Sequence, residues 1–202
     1  MVNVALTVLA LVILSWINRA RGVATLCIER SGVLNILGSP TVTDLTRALD
    51  ELAGWDGLRV LVLRGTGDRA FIGGADIKEM AGLDRPGAEA FISRLHGLCE
   101  AVRRFPAPVV ARLAGWTLGG GLEVAMACDL RIAADDAHFG MPEVKVGIPS
   151  VIHAALLPRL IGQARSDWLL LTCENIGAEQ AERWGLVHER CAPGGLDTLV
   201  QQ

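Results

Sequence analysis

The segment Trp116-Thr-Leu-Gly119-Gly120-Gly121-Leu-Glu123-Val-Ala-Met126 sets three consecutive glycines at the opening of an otherwise apolar helix that carries one acid. Glycines there let another group come close to the backbone. The free N–H groups of a helix start point outward with the positive end of the dipole, so negative charge developing on an oxygen is stabilised. This is half of an oxyanion hole. Working outward, Phe71-Ile-Gly73-Gly74-Ala75-Asp76-Ile77-Lys78-Glu79-Met80 repeats the design: a glycine turn leaves a buried strand and enters a short helix, with backbone amides available near Ala75. In the other direction, Phe139-Gly140-Met141-Pro142-Glu143-Val144 puts a carboxylate directly after a proline that fixes the turn, 143 − 123 = 20 residues beyond Glu123. Two acids from different elements can therefore converge.

The surrounding pattern alternates strands and helices. Val42, Leu45, Ala48, Leu49 and Leu52 recur at helical spacing with Gly54 as a stop, and Leu58 to Leu63 is a short apolar run of the kind buried on both faces. A helix over 88–104, the breaker Pro106-Ala-Pro108, a strand at Val109 to Leu113, the glycine cluster with its helix, and a strand at Leu130 to Ala133 continue the alternation. This argues for an α/β domain. Ala154 to Leu160, Ser166 to Leu171 and Ala178 to Trp184 read as helices, and no internal repeat or low-complexity linker shows.

Composition narrows the function classes. A chain of 202 residues that is 51% hydrophobic is long enough to bury a core and too apolar to be disordered. Its 19 basic and 22 acidic residues are interspersed, which argues against a nucleic-acid partner. Cys27, Cys99, Cys128, Cys173 and Cys191 form no C-x-x-C pair, so no metal or redox centre is expected, and they read as reduced, cytoplasmic thiols. Gly65-Thr-Gly67 lacks the third glycine of a dinucleotide fingerprint, and no phosphate-binding loop signature occurs.

The N-terminus has two readings. Residues 2–17 are strongly apolar and followed by Arg19 and Arg21, which suits a membrane anchor on a cytoplasmic body, although the run is shorter than the roughly 20 residues of a typical span. Alternatively Val12 to Ile17 is a first strand that forms a hairpin with Val23 to Glu29 across Arg19-Ala-Arg-Gly22.

Three segments in order carry a family resemblance: Gly74-Ala75-Asp76-Ile77-Lys78-Glu79-Met80; then Leu118 to Glu123 with Cys128-Asp129-Leu130-Arg131-Ile132-Ala133; then Phe139 to Glu143 with Leu157-Pro-Arg-Leu-Ile-Gly162. The chain resembles the crotonase (enoyl-CoA hydratase/isomerase) family from about Val23 to Val187. Several linked motifs in the right order are far more specific than any one of them. The resemblance implies an α/β spiral of ββα units, an acyl-CoA thioester as substrate and no separate cofactor. It implies that the amides of Ala75 and Gly120 form the oxyanion hole and that Glu123 and Glu143 hold and activate water, Glu123 as base and Glu143 as acid. It further implies that Gly73, Gly74, Asp76, Ile77 and Lys78 meet the CoA moiety, and that subunits associate as trimers or hexamers. Enoyl-CoA isomerisation or another enolate reaction is the rival within the enzymes; a non-catalytic CoA-binding protein is the rival outside them.

The same residues have plainer readings. Glu123 alone suits a solvated helix position. Asp76, Lys78 and Glu79 suit a helix cap and a charged face. Ser150 and His153 lack a third orienting group and a G-x-S-x-G turn, which favours a structural or pocket-lining role.

Two features depart from the family. Where relatives have a glycine-rich stretch after Gly147-Ile148-Pro149, this chain reads Ser150-Val-Ile-His-Ala-Ala-Leu-Leu157, which bears on acyl-chain preference. The expected organisation is an apolar extension over 1–18, the core over 19–190, and over 191–202 a C-terminal region whose helix stops before a usable length. Such a truncation predicts apolar surface left uncovered.

Overall fold

The computed structural model describes residues 4–5, 13–28 and 34–202. Strands β1 (Val4–Ala5), β2 (Ile13–Asn18) and β3 (Val23–Ile28) open the chain; β2 and β3 pair antiparallel across the turn at residues 19–22, as the hairpin reading expects. Helix α1 (Ser39–Ala53) follows, burying Val42, Leu45, Ala48, Leu49 and Leu52, the positions that the spacing selects. Next come β4 (Val60–Gly65), β5 (Ala70–Ile72), α2 (Ile77–Ala81), α3 (Arg85–Arg103), β6 (Val109–Leu113), β7 (Trp116–Leu118), α4 (Gly120–Ala127), β8 (Leu130–Ala134) and β9 (His138–Gly140). The chain finishes with α5 (Leu157–Ile161), α6 (Gln163–Thr172), β10 (Ile176–Gly177), α7 (Ala178–Trp184), β11 (Glu189–Cys191) and α8 (Leu196–Val200), with 3-10 turns at Glu143–Val146, Ala154–Leu156 and Pro193–Gly195.

Two sheets share the strands in a regular way. The larger has the order β1-β2-β3-β4-β6-β8-β11 and the smaller β10-β9-β7-β5. From β4 to β8, each strand of the large sheet is followed by one of the small sheet and then by helix: β4-β5-α2-α3, β6-β7-α4, β8-β9-α5-α6. This is the ββα spiral that the resemblance implies. The repetition lies in architecture rather than in residues. Its second strands are three residues long, too short to leave a two-residue period in the sequence.

The main core lies on one face of the large sheet, where Leu61, Leu63, Val109, Ala111, Leu113 and Ala133 meet the helices and the small sheet. On the other face, Val110, Ala114, Ile132, Ala134 and Leu196 form a second apolar cluster. Helix α8, in the C-terminal region over 191–202, packs on that second cluster. Five residues suffice for α8 because it is docked: Leu196 is buried, and Asp197 pairs with the buried Arg112, which also meets Asp68 at 2.8 Å. Arg64 adds a contact to Asp197 at 3.3 Å.

Of the apolar run considered as a membrane anchor, residues 4–5 and 13–17 are strands of the large sheet, and the remainder falls outside the described residues. Among the described residues no helix is long and apolar enough to cross a membrane. All five cysteines are free thiols, four of them buried.

Candidate active site

The glycine cluster opens α4 as the sequence predicts. Gly119 precedes the helix with φ 52 and ψ −124, a conformation in which a side chain is strained, and a Cβ there would lie 2.5 Å from Oε1 of Glu143. The backbone thus passes directly against the second acid. Gly120, as the first helical residue, has no intrahelical acceptor for its N–H.

The other glycine turn lies beside it. A Cβ on Gly120 would sit 3.9 Å from the Ala75 nitrogen, so the two proposed oxyanion donors are neighbours. Ala75 is held by a strand-like bridge to Leu37: Leu37 N donates to Gly74 O and Asp76 N to Leu37 O, each at 2.9 Å. Asp76 caps α2, accepting from the N–H groups of Lys78 and Glu79. That is the plainer of its two readings. Glu79 reaches across to α1 and accepts from the Ser39 N–H at 2.9 Å and from its hydroxyl. Gly73 N donates to Leu34 O, while Ile77 and Lys78 lie exposed on α2.

Glu123 is 2% exposed, which removes the solvated-helix reading. Its Oε1 accepts three backbone N–H groups, from Ile152 at 3.2 Å, His153 at 2.8 Å and Ala154 at 3.1 Å. Oε2 accepts no hydrogen bond among the described residues. Burial pushes the carboxyl up from 4.5 to about 7, the Glu143 charge adds to the rise, and the three amides oppose it. Glu143, at the start of the 3-10 turn after Pro142, is likewise raised by burial, against its own backbone N–H and a hydrogen bond from the Ser150 side chain. Its Oε2 is buried without a hydrogen-bond partner among the described residues. The Glu143 charge thus acts on Glu123, whose Oε1 is anchored by three amides, while Oε2 of Glu143 is left uncommitted.

Sequence reasoning reached both acids but missed what holds them. The amides of Ile152 to Ala154 sit in the segment that departs from the family pattern, and backbone donors leave no residue signature. Ser150, read as structural or pocket-lining, lies near enough to Glu143 to oppose the rise of its carboxyl. Arg131 was visible only as part of a motif. Buried beside the end of α4, it donates to Ala125 O at 3.2 Å, Cys128 O at 2.7 Å and Leu186 O at 2.7 Å, tying the C-terminal end of that helix to the segment after α7. Asp129 accepts from Val109 N at 2.7 Å. Together they fix the far end of the helix that carries Glu123. A groove of about 420 Å³ between α1 and α3 includes Glu100 but none of Ala75, Gly120, Glu123 or Glu143. No cluster of metal-ligating side chains is found among the described residues.

Residues 18–200 match the family model described as enoyl-CoA hydratase/isomerase. The chain belongs to this family. It is 35% identical over 181 residues to a short-chain-enoyl-CoA hydratase of Clostridium acetobutylicum, covering 89% of this chain and 69% of the relative. It is 37% identical over 173 residues to the mitochondrial enoyl-CoA hydratase domain-containing protein 2 of Bos taurus, covering 85% of this chain and 58% of the relative. A crystal structure of an enoyl-CoA hydratase from Mycobacterium smegmatis superimposes with a TM-score of 0.90 at 32% identity, over 94% of this chain and 74% of that one. The chain thus spans roughly three-fifths to three-quarters of these relatives' length.

Proposed function

We propose that this protein is an enoyl-CoA hydratase, adding water syn across the double bond of a 2-trans-enoyl-CoA. The observation that carries the reading is the convergence of two raised carboxyls beside two adjacent backbone donors. The thioester oxygen accepts the N–H groups of Ala75 and Gly120, which draws electron density from C3. Each such donor contributes roughly 10²–10³-fold in rate. Water held by Glu123 and Glu143 adds its oxygen to C3 as Glu123 removes a proton. The enolate so formed keeps its charge on the gripped oxygen until Glu143 protonates C2. Delivery of both groups from one side gives syn addition.

Elevated carboxyls suit this exchange, because a catalytic acid or base works best near the operating pH. Glu123 and Glu143 titrate as a coupled pair, so the proton belongs to the pair rather than permanently to one member. The addition is redox-neutral and consumes only water, so coenzyme A enters as part of the substrate. We assign the Gly73, Gly74, Asp76, Ile77 and Lys78 turn to the CoA moiety because it adjoins Ala75.

Isotope labelling separates hydration from the rival reactions. Turnover of crotonyl-CoA in H₂¹⁸O and in D₂O is expected to place ¹⁸O at C3 and one deuterium at C2 of the same product. Deuterium exchange or double-bond migration without ¹⁸O at C3 would identify an isomerase or another enolate-forming enzyme instead.

A further inference from the structure

His153 stands out as a buried polar side chain for which the proposed reaction has no use. It is 3% exposed, and neither ring nitrogen makes a hydrogen bond of good geometry among the described residues. Its Nε2 lies 3.2 Å from Oε1 of Glu100, and its ring packs against that of His96 with centroids 5.4 Å apart. Glu100 is itself held, with Arg103 at 3.1 Å on one oxygen and Arg104 at 3.0 Å on the other. Helix α3 therefore presents His153 with a braced carboxylate and a ring tilted 38° against its own.

The backbone of the same residue does something different. The His153 N–H makes the shortest of the three hydrogen bonds to Glu123, and its neighbours Ile152 and Ala154 make the others. The stretch has little regular structure of its own: residues 149–151 belong to no helix or strand, the 3-10 turn begins only at Ala154, and the His153 carbonyl accepts from Leu156 N at 2.9 Å. A braced side chain is the simplest anchor for a backbone clamp.

We propose that His153 is a positioning residue, its ring seated between His96 and Glu100 so that the amides of Ile152 to Ala154 stay aimed at Glu123. The idea rests on Glu123 being a reacting carboxylate, as assigned above, but its test does not need turnover. The groups facing His153 are Glu100, Arg103 and His96, all from α3; burial, Arg103 and His96 keep the imidazole in its neutral form, against Glu100. Glu123 is faced by Glu143 from the 3-10 turn, and by Cys99, a buried thiol of α3 that its charge disfavours ionising. Releasing the clamp removes amides that favour the charged carboxylate, so the Glu123 titration midpoint rises.

The experiment is a ¹³C NMR titration of the full chain labelled at glutamate side-chain carboxyls, with Glu123→Gln assigning the resonance. His153→Ala is expected to raise the Glu123 midpoint by about one pH unit, a tenfold change, for the loss of one or more amide bonds. Glu100→Gln moves it in the same direction, and His153→Gln, which keeps a polar side chain of similar reach, restores it. A midpoint in His153→Ala that is unchanged, or lowered by entering water, overturns the proposal. If that variant does not fold, Glu100→Gln decides by the same criterion. Absence of hydration in the wild type would count against the hydratase reading and leave the titration result standing.

Discussion

Replacing Glu123 with Gln is expected to stabilise the protein, increasingly so as pH rises. The carboxyl stands at about 7 in the folded chain against 4.5 for the free group. Well below the lower of these values both states hold the proton, and burial of the neutral acid carries no charge penalty. Between them the unfolded state ionises while the folded state does not, so wild-type stability falls with rising pH. Above about 7 both states are ionised and the loss is complete. A rise from 4.5 to about 7 corresponds to about 3 kcal/mol, taking about 1.36 kcal/mol per unit. The Gln variant has no such loss, and its side-chain oxygen still accepts the three amides. Its stability relative to wild type should therefore grow by about 3 kcal/mol between pH 4.5 and about pH 8, which for a chain of this size is about 6–12 °C in Tm. Denaturant unfolding of both proteins across that range reads the difference; Glu143 still titrates in the variant but without the Glu123 charge beside it, so the difference includes the coupling of the pair. A difference that stays flat with pH would refute the claim that Glu123 is held in a raised state, and with it the idea that this residue is kept at the expense of stability.

Two further outcomes follow from the geometry. Gly119→Ala combines a positive φ with a Cβ 2.5 Å from the Glu143 carboxylate, so hydration should fall at least about 100-fold and stability by about 1–3 kcal/mol; Gly67→Ala, equally positive in φ but with nothing within 4 Å, should cost stability alone when both are compared in kinetics and melts. Asp197→Ala leaves Arg112 buried with only Asp68 opposite, and thermal unfolding should show a loss of about 1–3 kcal/mol with turnover unaffected.

Much of the fold was legible because long amphipathic segments carry their own period. The apolar positions of α1 and α3 recur at helical spacing, and β6 is a short run buried on both faces. The second strand of each repeat was not, since Trp116–Leu118 and His138–Gly140 are too short for alternation to show. At the site, glycines and acids announced themselves through residue type. The clamp on Glu123 is made of main-chain amides from Ile152, His153 and Ala154, which any residue but proline supplies, so only coordinates bring it to view. Arg131 reads in sequence as a charge within a short strand; its burial goes with the carbonyls of Ala125 and Cys128 that it meets at the end of α4, a tertiary fact.

The central claim is that Glu123 and Glu143 act together on water and a thioester gripped by Ala75 and Gly120. Its most direct test is steady-state hydration of crotonyl-CoA by the purified chain, followed as loss of the conjugated enoyl absorbance, beside Glu123→Gln and Glu143→Gln variants confirmed to be folded and to bind CoA. Turnover by the wild type that falls at least about 100-fold in each variant, with KM little changed, is the predicted result. A folded, CoA-binding wild type without turnover, or variants that keep most of it, would contradict the account.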